Sequence, residues 1–525
     1  MFDQALPASS STRRVGRLAL AMSAALGCNS GDNHVSSLEV HTDHGAVVGM
    51  QASGVHAFLG IPYAAAPVGA LRWKAPTEVS WTDARPAQQY GPPCYGVSLL
   101  DSRTVRTGAS EDCLSLNIWS PPDAAGRPVL FWIHGGGFID GSGRDYPGDV
   151  LASTGDVVVV TINYRLGALG TLAIPSADGG GNLALLDQQF ALQWVRRNIA
   201  EFGGDPAQVT VAGESAGASA ACLHAAMPSS QTLLSALLME SGSCDGVQVP
   251  AQAAATADAL ATQWGCAAAD GTLDEGCLRA LPAETVVRGN TLTQVAPILD
   301  GTLVPTSPRA ALAAGSFAKV PILAGYNANE GLFFTDGVYA AAGLTDLSNY
   351  PALLDLAYGP LGPTLLALYP LADYGNDPRT AFASIIRDSL FECPTRHLFS
   401  ASQAPVFAYD FSYAPSLSSP QPVLAMHTVE LPYVWGIPLP WTWWDQANAG
   451  VPGTPRELEL AAQIRTAWTT FVTTHAPTQS GSSAPPWPAF SASSQSTMMF
   501  GASTSAAALP SNANCALWDQ LYGGL

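Results

Sequence analysis

The stretch that most constrains this chain is Gly213-Glu214-Ser215-Ala216-Gly217. An apolar, β-branched segment, Val209-Thr210-Val211, leads into it, and a run of small residues, Ala218-Ser219-Ala220-Ala221, leads out. The pattern predicts a strand, a sharp turn and a helix packed closely on a sheet, the context that a nucleophile elbow needs. The turn is tight enough that the residues two before and two after the serine must be very small. The helix that follows aims its first N–H groups at the oxygen of an acyl substrate. A bare Gly-x-Ser-x-Gly also arises by chance in a chain with 50 glycines, so the remaining sequence has to decide between a nucleophile and an ordinary turn.

The flanking patterns favour a mostly parallel α/β sheet. Pro128 to Ile133 and Val157 to Asn163 are largely apolar runs, as expected of strands buried on both faces. Between the second of these and Val209 lies Asn182 to Ile199, with Leu183, Leu186, Phe190 and Trp194 at helical spacing. Such strand–helix–strand alternation is the signature of parallel pairing. Val320 to Ala324 reads as a later strand of the same sheet, its proline near the start where a strand tolerates one. Leu38 to Ala57 reads as antiparallel strands turning at Asp43-His44-Gly45. Residues from about 245 to 295 and from 340 to 400 are Ala-rich and helical, as insertions that roof a site would be. Thr454-Pro455-Arg456-Glu457 is a capping box opening a helix whose stripe, Leu460, Ile464, Trp468 and Phe471, reads as core. No internal repeat is visible.

Composition bounds what the chain does. At 47% hydrophobic, the 525 residues can bury a large core, and a net charge of −19 argues against nucleic acid, whose phosphates demand a basic face. Residues 1–27 read as an export signal: Arg13, Arg14 and Arg17 precede an apolar stretch, Leu18 to Leu26, that is too short to span a bilayer. Ala25-Leu26-Gly27-Cys28 looks like a lipoprotein box with Ala where Leu is usual, so the two readings are a lipid anchor at Cys28 and simple cleavage near Ala25. Residues 28–37 then form a polar linker and 38–525 a single domain without a membrane span. Eight further cysteines, at 94, 113, 222, 244, 266, 277, 393 and 515, suggest disulfides in an exported chain. No Cys-x-x-Cys or paired histidine spacing supports a metal site.

A serine nucleophile needs donors for an oxyanion, a base, and an acid that orients the base. His134-Gly135-Gly136-Gly137-Phe138 follows the Phe131-Trp132-Ile133 strand end, and consecutive glycines let backbone N–H groups point into a pocket. With the residue after the serine, this assigns Gly136, Gly137 and Ala216 as oxyanion donors. The base should follow both serine and acid in the chain. His224 lies well down the helix leaving the elbow, His475 sits just past the capped helix, and His397 follows Cys393. His427 leads by elimination. For the acid, Glu330 ends a loop just beyond the 320–324 strand, and Asp300 and Asp336 are rivals.

Phe202-Gly203-Gly204 through Gly217 resembles the active-site signature of the type B carboxylesterase/lipase family, the cholinesterase-like esterases. Glu111-Asp112-Cys113-Leu114-Ser115-Leu116-Asn117-Ile118-Trp119-Ser120-Pro121 resembles its second signature, with Ser115 where Tyr, Thr or Phe is usual. Gly60 to Ala64 and Gly181 to Gln188 are also similar, so the likeness runs from about residue 36 to the end. It implies an α/β-hydrolase fold, a triad of Ser215, Glu330 and His427, and Ser241 as a serine that hydrogen-bonds near the acid. It also implies disulfides Cys94–Cys113, Cys266–Cys277 and Cys393–Cys515, leaving Cys222 and Cys244 to pair, and a structural salt bridge between Arg72 and Glu111. The cholinesterase tryptophan that holds choline by cation–π attraction has no counterpart between Tyr95 and Asp112, so choline esters are not the expected substrate. The expectation is an exported serine carboxylesterase, secreted, periplasmic or lipid-anchored, that acts on a small-molecule ester without metal or organic cofactor. A lipase, an esterase for polymers or aryl esters, and a non-catalytic binding module are the alternatives. The cluster Trp435, Trp441, Trp443 and Trp444 reads as packing in preference to an acyl pocket.

Overall fold

Among the described residues fourteen runs of extended backbone form, and the central ones carry the apolar patterns described above. The computed structural model describes residues 38–523 except 269–271, 293, 336–348, 416–423, 438–452 and 479–483. The expected leader and linker, Cys28, Asp336, Trp441, Trp443 and Trp444 therefore lie outside the described residues. In chain order the strands are β1 (Glu39–Thr42), β2 (Gly45–Val48), β3 (Met50–Ala52), β4 (Val55–Pro62) and β5 (Arg85–Pro86). β6 (Ser115–Ser120), β7 (Arg127–Ile133), β8 (Val158–Ile162), β9 (Gly204–Glu214) and β10 (Ala236–Glu240) follow. The last four are β11 (Ile322–Asn327), β12 (Val406–Phe411), β13 (Ser496–Phe500) and β14 (Thr504–Ala508).

Two sheets result. β1, β2 and β5 form a small one, and the other eleven strands form a large sheet in the order β14-β13-β12-β11-β10-β9-β7-β8-β6-β4-β3. From β13 through β8 every neighbouring pair is parallel, and antiparallel pairing is confined to the two ends. This is the mostly parallel α/β sheet expected from the strand–helix alternation. β9 is much longer than the Val209–Val211 run, because its first residues continue the ladder beside Arg127.

The continuous apolar runs are explained by burial on both faces. Along β7, Val129, Phe131 and Ile133 enter one core while Leu130 and Trp132 enter the other. Helices Leu183–Asn198 and Ala216–Ala226 cover the first face, and Asp149–Gly155 and Pro455–Thr474 the second. The capping box of the last is formed in full, with Thr454 and Glu457 bonding each other's backbone. Its stripe, Leu460, Ile464, Trp468 and Phe471, is buried core. Trp435 likewise packs against Trp132 and Tyr146, at 4.9 and 5.4 Å between ring centroids. Four disulfides join Cys94–Cys113, Cys222–Cys244, Cys266–Cys277 and Cys393–Cys515. Arg72 grips both oxygens of Glu111. No helix among the described residues is long and apolar enough to cross a membrane.

The topology places the site. β8 lies on one side of β7 and β9 on the other, so the chain reverses its direction of travel across the sheet there. Loops leaving the carboxyl ends of parallel strands diverge at such a point and open a crevice.

Candidate active site

Ser215 stands at the carboxyl end of β9 with φ of 56° and ψ of −123°, a strained conformation for a residue with a side chain. The strain is held by close packing. A Cβ built on Gly217 would lie 1.9 Å from the Ile133 carbonyl oxygen, and one on Gly213 would lie 2.4 Å from the Gly217 carbonyl carbon. The Ser215 N–H donates to the Glu240 carbonyl at the end of β10, 2.9 Å away. The residue is thereby left half-buried, with its hydroxyl within reach of His427.

His427 Nε2 is 2.9 Å from Ser215 Oγ, and His427 Nδ1 is 2.7 Å from Glu330 Oε2. A carboxylate only accepts, so the imidazole carries its proton on Nδ1 and presents a bare Nε2 to the hydroxyl. Glu330 is itself fixed: its Oε1 accepts the Asn327 N–H at 2.7 Å, and the Asn327 amide donates to the Met426 carbonyl at 2.8 Å. The loops bearing acid and imidazole are thus tied to each other. This is a serine, imidazole and carboxylate in a line, in which the imidazole can take the hydroxyl proton while the carboxylate orients it and stabilises its charge.

Across the crevice, Gly136 and Gly137 follow β7 with φ of 103° and 61°, backbone that glycine adopts readily. Among the described residues none accepts a hydrogen bond from the N–H of Gly136, Gly137 or Ala216. His134 anchors the glycine loop: it stacks on Tyr164 at 4.3 Å, its Nδ1 donates to the Gly135 carbonyl, and burial pushes it down to about 3, so it stays neutral. Leu99 and Leu292 lie over Gly137. Phe333, Phe334 and Phe391 ring the imidazole at 5.3, 5.2 and 4.8 Å.

The rival groups lie elsewhere. His224 is buried between Ser230 and Gln188, His397 lies 3.8 Å from Asp519, and His475 caps the Pro455–Thr474 helix. Asp300 bonds the backbone of its own turn at Thr302 and Val304. Ser241 is adjacent to the site, but its hydroxyl reaches Glu430, 3.5 Å away, and not Glu330. Sequence reasoning missed the other carboxyls gathered here. Glu214 Oε1 is 3.3 Å from His427 Nε2, and Glu430 bonds the Asn327 amide. Burial, and then the charges of Glu430, Glu330 and Glu240, push Glu214 well above the usual carboxylate range, and Glu430 rises for similar reasons. The available signal was an acidic residue inside the elbow motif itself and another three positions after His427.

The model of the carboxylesterase family matches residues 36–518. The chain belongs to that family. It is 37% identical over 470 residues to the fumonisin B1 esterase of Sphingopyxis macrogoltabida, covering 86% of this chain and 84% of that one. With the para-nitrobenzyl esterase of Bacillus subtilis (strain 168) it shares 36% identity over 485 residues, 88% of this chain and 94% of the other. The solved structure of a thermophilic PNB esterase superimposes with a TM-score of 0.75 at 34% identity, covering 89% of this chain and 97% of that one. The enzyme is accordingly a serine ester hydrolase of the type B carboxylesterases, and its fold is the α/β-hydrolase fold.

Proposed function

We propose that this carboxylesterase is exported and hydrolyses uncharged carboxylic esters through an acyl-enzyme on Ser215. The observation that carries the reading is the hydrogen-bonded line from Ser215 through His427 to Glu330. His427 Nε2 takes the hydroxyl proton as Ser215 Oγ attacks the ester carbonyl, and Glu330 supports the imidazolium that forms. The N–H groups of Gly136, Gly137 and Ala216 receive the oxyanion, and each such donor is worth ~3 kcal/mol of barrier. The imidazolium then protonates the leaving alcohol, and water repeats the steps on the acyl-enzyme. Leu99, Leu292 and the three phenylalanines offer the acyl and alcohol groups an apolar, uncharged wall. The filled serine, imidazole and acid positions speak against a non-catalytic binding module.

Export is supported by the leader-like residues 1–27 and by four disulfides, which persist in oxidising compartments. On this reading the catalytic domain lies in Leu38–Leu525, one compact unit.

Hydrolysis of p-nitrophenyl esters from acetate to palmitate, with Ser215→Ala alongside, tests the proposal. The expected result is turnover highest on short chains and at least ~10⁴-fold lower in the variant at unchanged thermal stability. A folded wild-type protein inactive on every ester rules out the assignment, and a preference for emulsified palmitate moves the enzyme to the lipases.

A further inference from the structure

Four glutamates crowd the carboxyl edge of the sheet beneath His427. Glu214 ends β9, Glu240 ends β10, Glu330 follows β11 and Glu430 follows His427 in the chain, and all four are fully buried. Among the described residues no lysine or arginine pairs with any of them, and His427 is the basic group in reach, of Glu214 and Glu330. Buried carboxylates without cationic partners are costly, and a single imidazole cannot compensate four. Most of the cluster must therefore hold protons.

The reaction above uses Glu330 alone of the four, and of the other three Glu240 is the one bonded both to the elbow and to a helix. Its main-chain oxygen holds the Ser215 N–H, and its Oε1 accepts the Trp468 indole N–H at 2.7 Å. Its Oε2 is buried and has no partner among the described residues, and the same is true of the Tyr409 hydroxyl, whose ring packs on Trp468 at 5.2 Å. An ionised carboxylate left with one donor is costly in this setting, and a neutral acid costs less to bury.

We propose that Glu240 is a positioning residue of the esterase site that works as a neutral acid, tying the elbow to the helix Pro455–Thr474 while leaving the negative charge of the cluster to Glu330. The groups that meet its charge are Glu214 from β9, Glu430 from the loop that carries His427, Tyr409 from β12 and the Trp468 indole from the helix; Glu330 acts on the same Glu214 and Glu430, and His427 reaches Glu214 and Glu330. Burial pushes the Glu240 carboxyl up to about 8, with the Trp468 N–H pulling the other way. Above that pH a second anion joins the cluster, repels Glu330 and opposes the oxyanion, so kcat falls.

The same proton has a consequence for stability whose sign is fixed. The unfolded chain releases it near 4.5 and the folded chain near 8. Across that window the unfolded state binds fewer protons, so stability falls as pH rises and then levels off. Glutamine at this position keeps the acceptor for Trp468 and has no proton to lose.

The kinetic arm rests on the esterase reading; the thermal arm uses no substrate. Wild type, Glu240→Gln and Glu240→Ala are compared by Tm from about pH 4 to about pH 9, and by kcat and KM on p-nitrophenyl butyrate. Glu240→Ala is expected to lose about tenfold in kcat at unchanged KM, and Glu240→Gln to recover to within about threefold of wild type at neutral pH. The Tm advantage of Glu240→Gln over wild type should grow through the window and then plateau, and its kcat should not fall near pH 8. A tenfold loss in Glu240→Gln at native Tm would overturn the proposal, since it would mean that an anion is required. Superimposable pH profiles for wild type and Glu240→Gln would overturn it equally. If wild type hydrolyses no ester, the esterase reading fails and the Tm comparison still decides whether Glu240 holds its proton.

Discussion

Four residues around the crevice hold a left-handed backbone that their side chains disfavour: Phe138 beside the glycine loop, Ser215, Ser241, and Thr428 directly after His427. Strain of this kind persists where the surroundings over-determine the conformation, and here it fixes donor loop, hydroxyl and imidazole from three sides. Fixed geometry makes the acid's contribution separable. Glu330→Gln keeps size and burial but offers the imidazole an amide, which no longer enforces the Nδ1–H tautomer. The expected outcome is a kcat reduced by about 10⁴-fold with Tm and KM little changed, read by steady-state kinetics and thermal melting. Ser215 was legible from its motif and His427 from the chain order by elimination, whereas Glu330 stood beside Asp300 and Asp336 until the family resemblance singled it out. Glu214, Glu240 and Glu430 were not, since a glutamate looks the same in sequence whether it is solvated or buried. Nor does a sequence show that Thr428 turns left-handed.

At the scale of elements, the central strands were the most readable part, because burial on both faces makes them unbroken apolar runs. The antiparallel strands at the sheet's ends were less so: β14 is Thr-Ser-Ala-Ala-Ala, largely exposed, with no apolar pattern to mark it. The turn Asp388–Glu392, a π-helix between two α-helices, also escaped notice, although it carries Phe391 onto the imidazole. At this turn Arg387 pairs with Asp388 and Glu392, one and five positions further on, and no apolar period in the sequence marks such local widening. The Cys393–Cys515 bridge begins immediately after this turn and closes a loop of sequence separation 122. Cys393→Ser/Cys515→Ser should lose roughly 2–5 kcal/mol in denaturant unfolding. Because the bridge spans His427 in the chain, the variant should also inactivate at lower temperature than wild type in a heat-challenge assay.

Taken whole, the molecule is strongly acidic, with a net charge of −19, while the crevice wall is apolar. Its field should disfavour the approach of anionic esters and leave neutral ones unaffected. Adding salt should therefore lower KM for an ester bearing a free carboxylate, severalfold between low and physiological ionic strength, and leave KM for its neutral methyl ester unchanged. The order of parts along the chain has one more consequence. Ser215 and His427 lie 212 residues apart, so at ordinary rates of synthesis the hydroxyl leaves the ribosome roughly 10–40 s before its base. A nascent chain consequently holds an inert serine, and the cell that makes the hydrolase is shielded from it until the loop that bears His427 has been made.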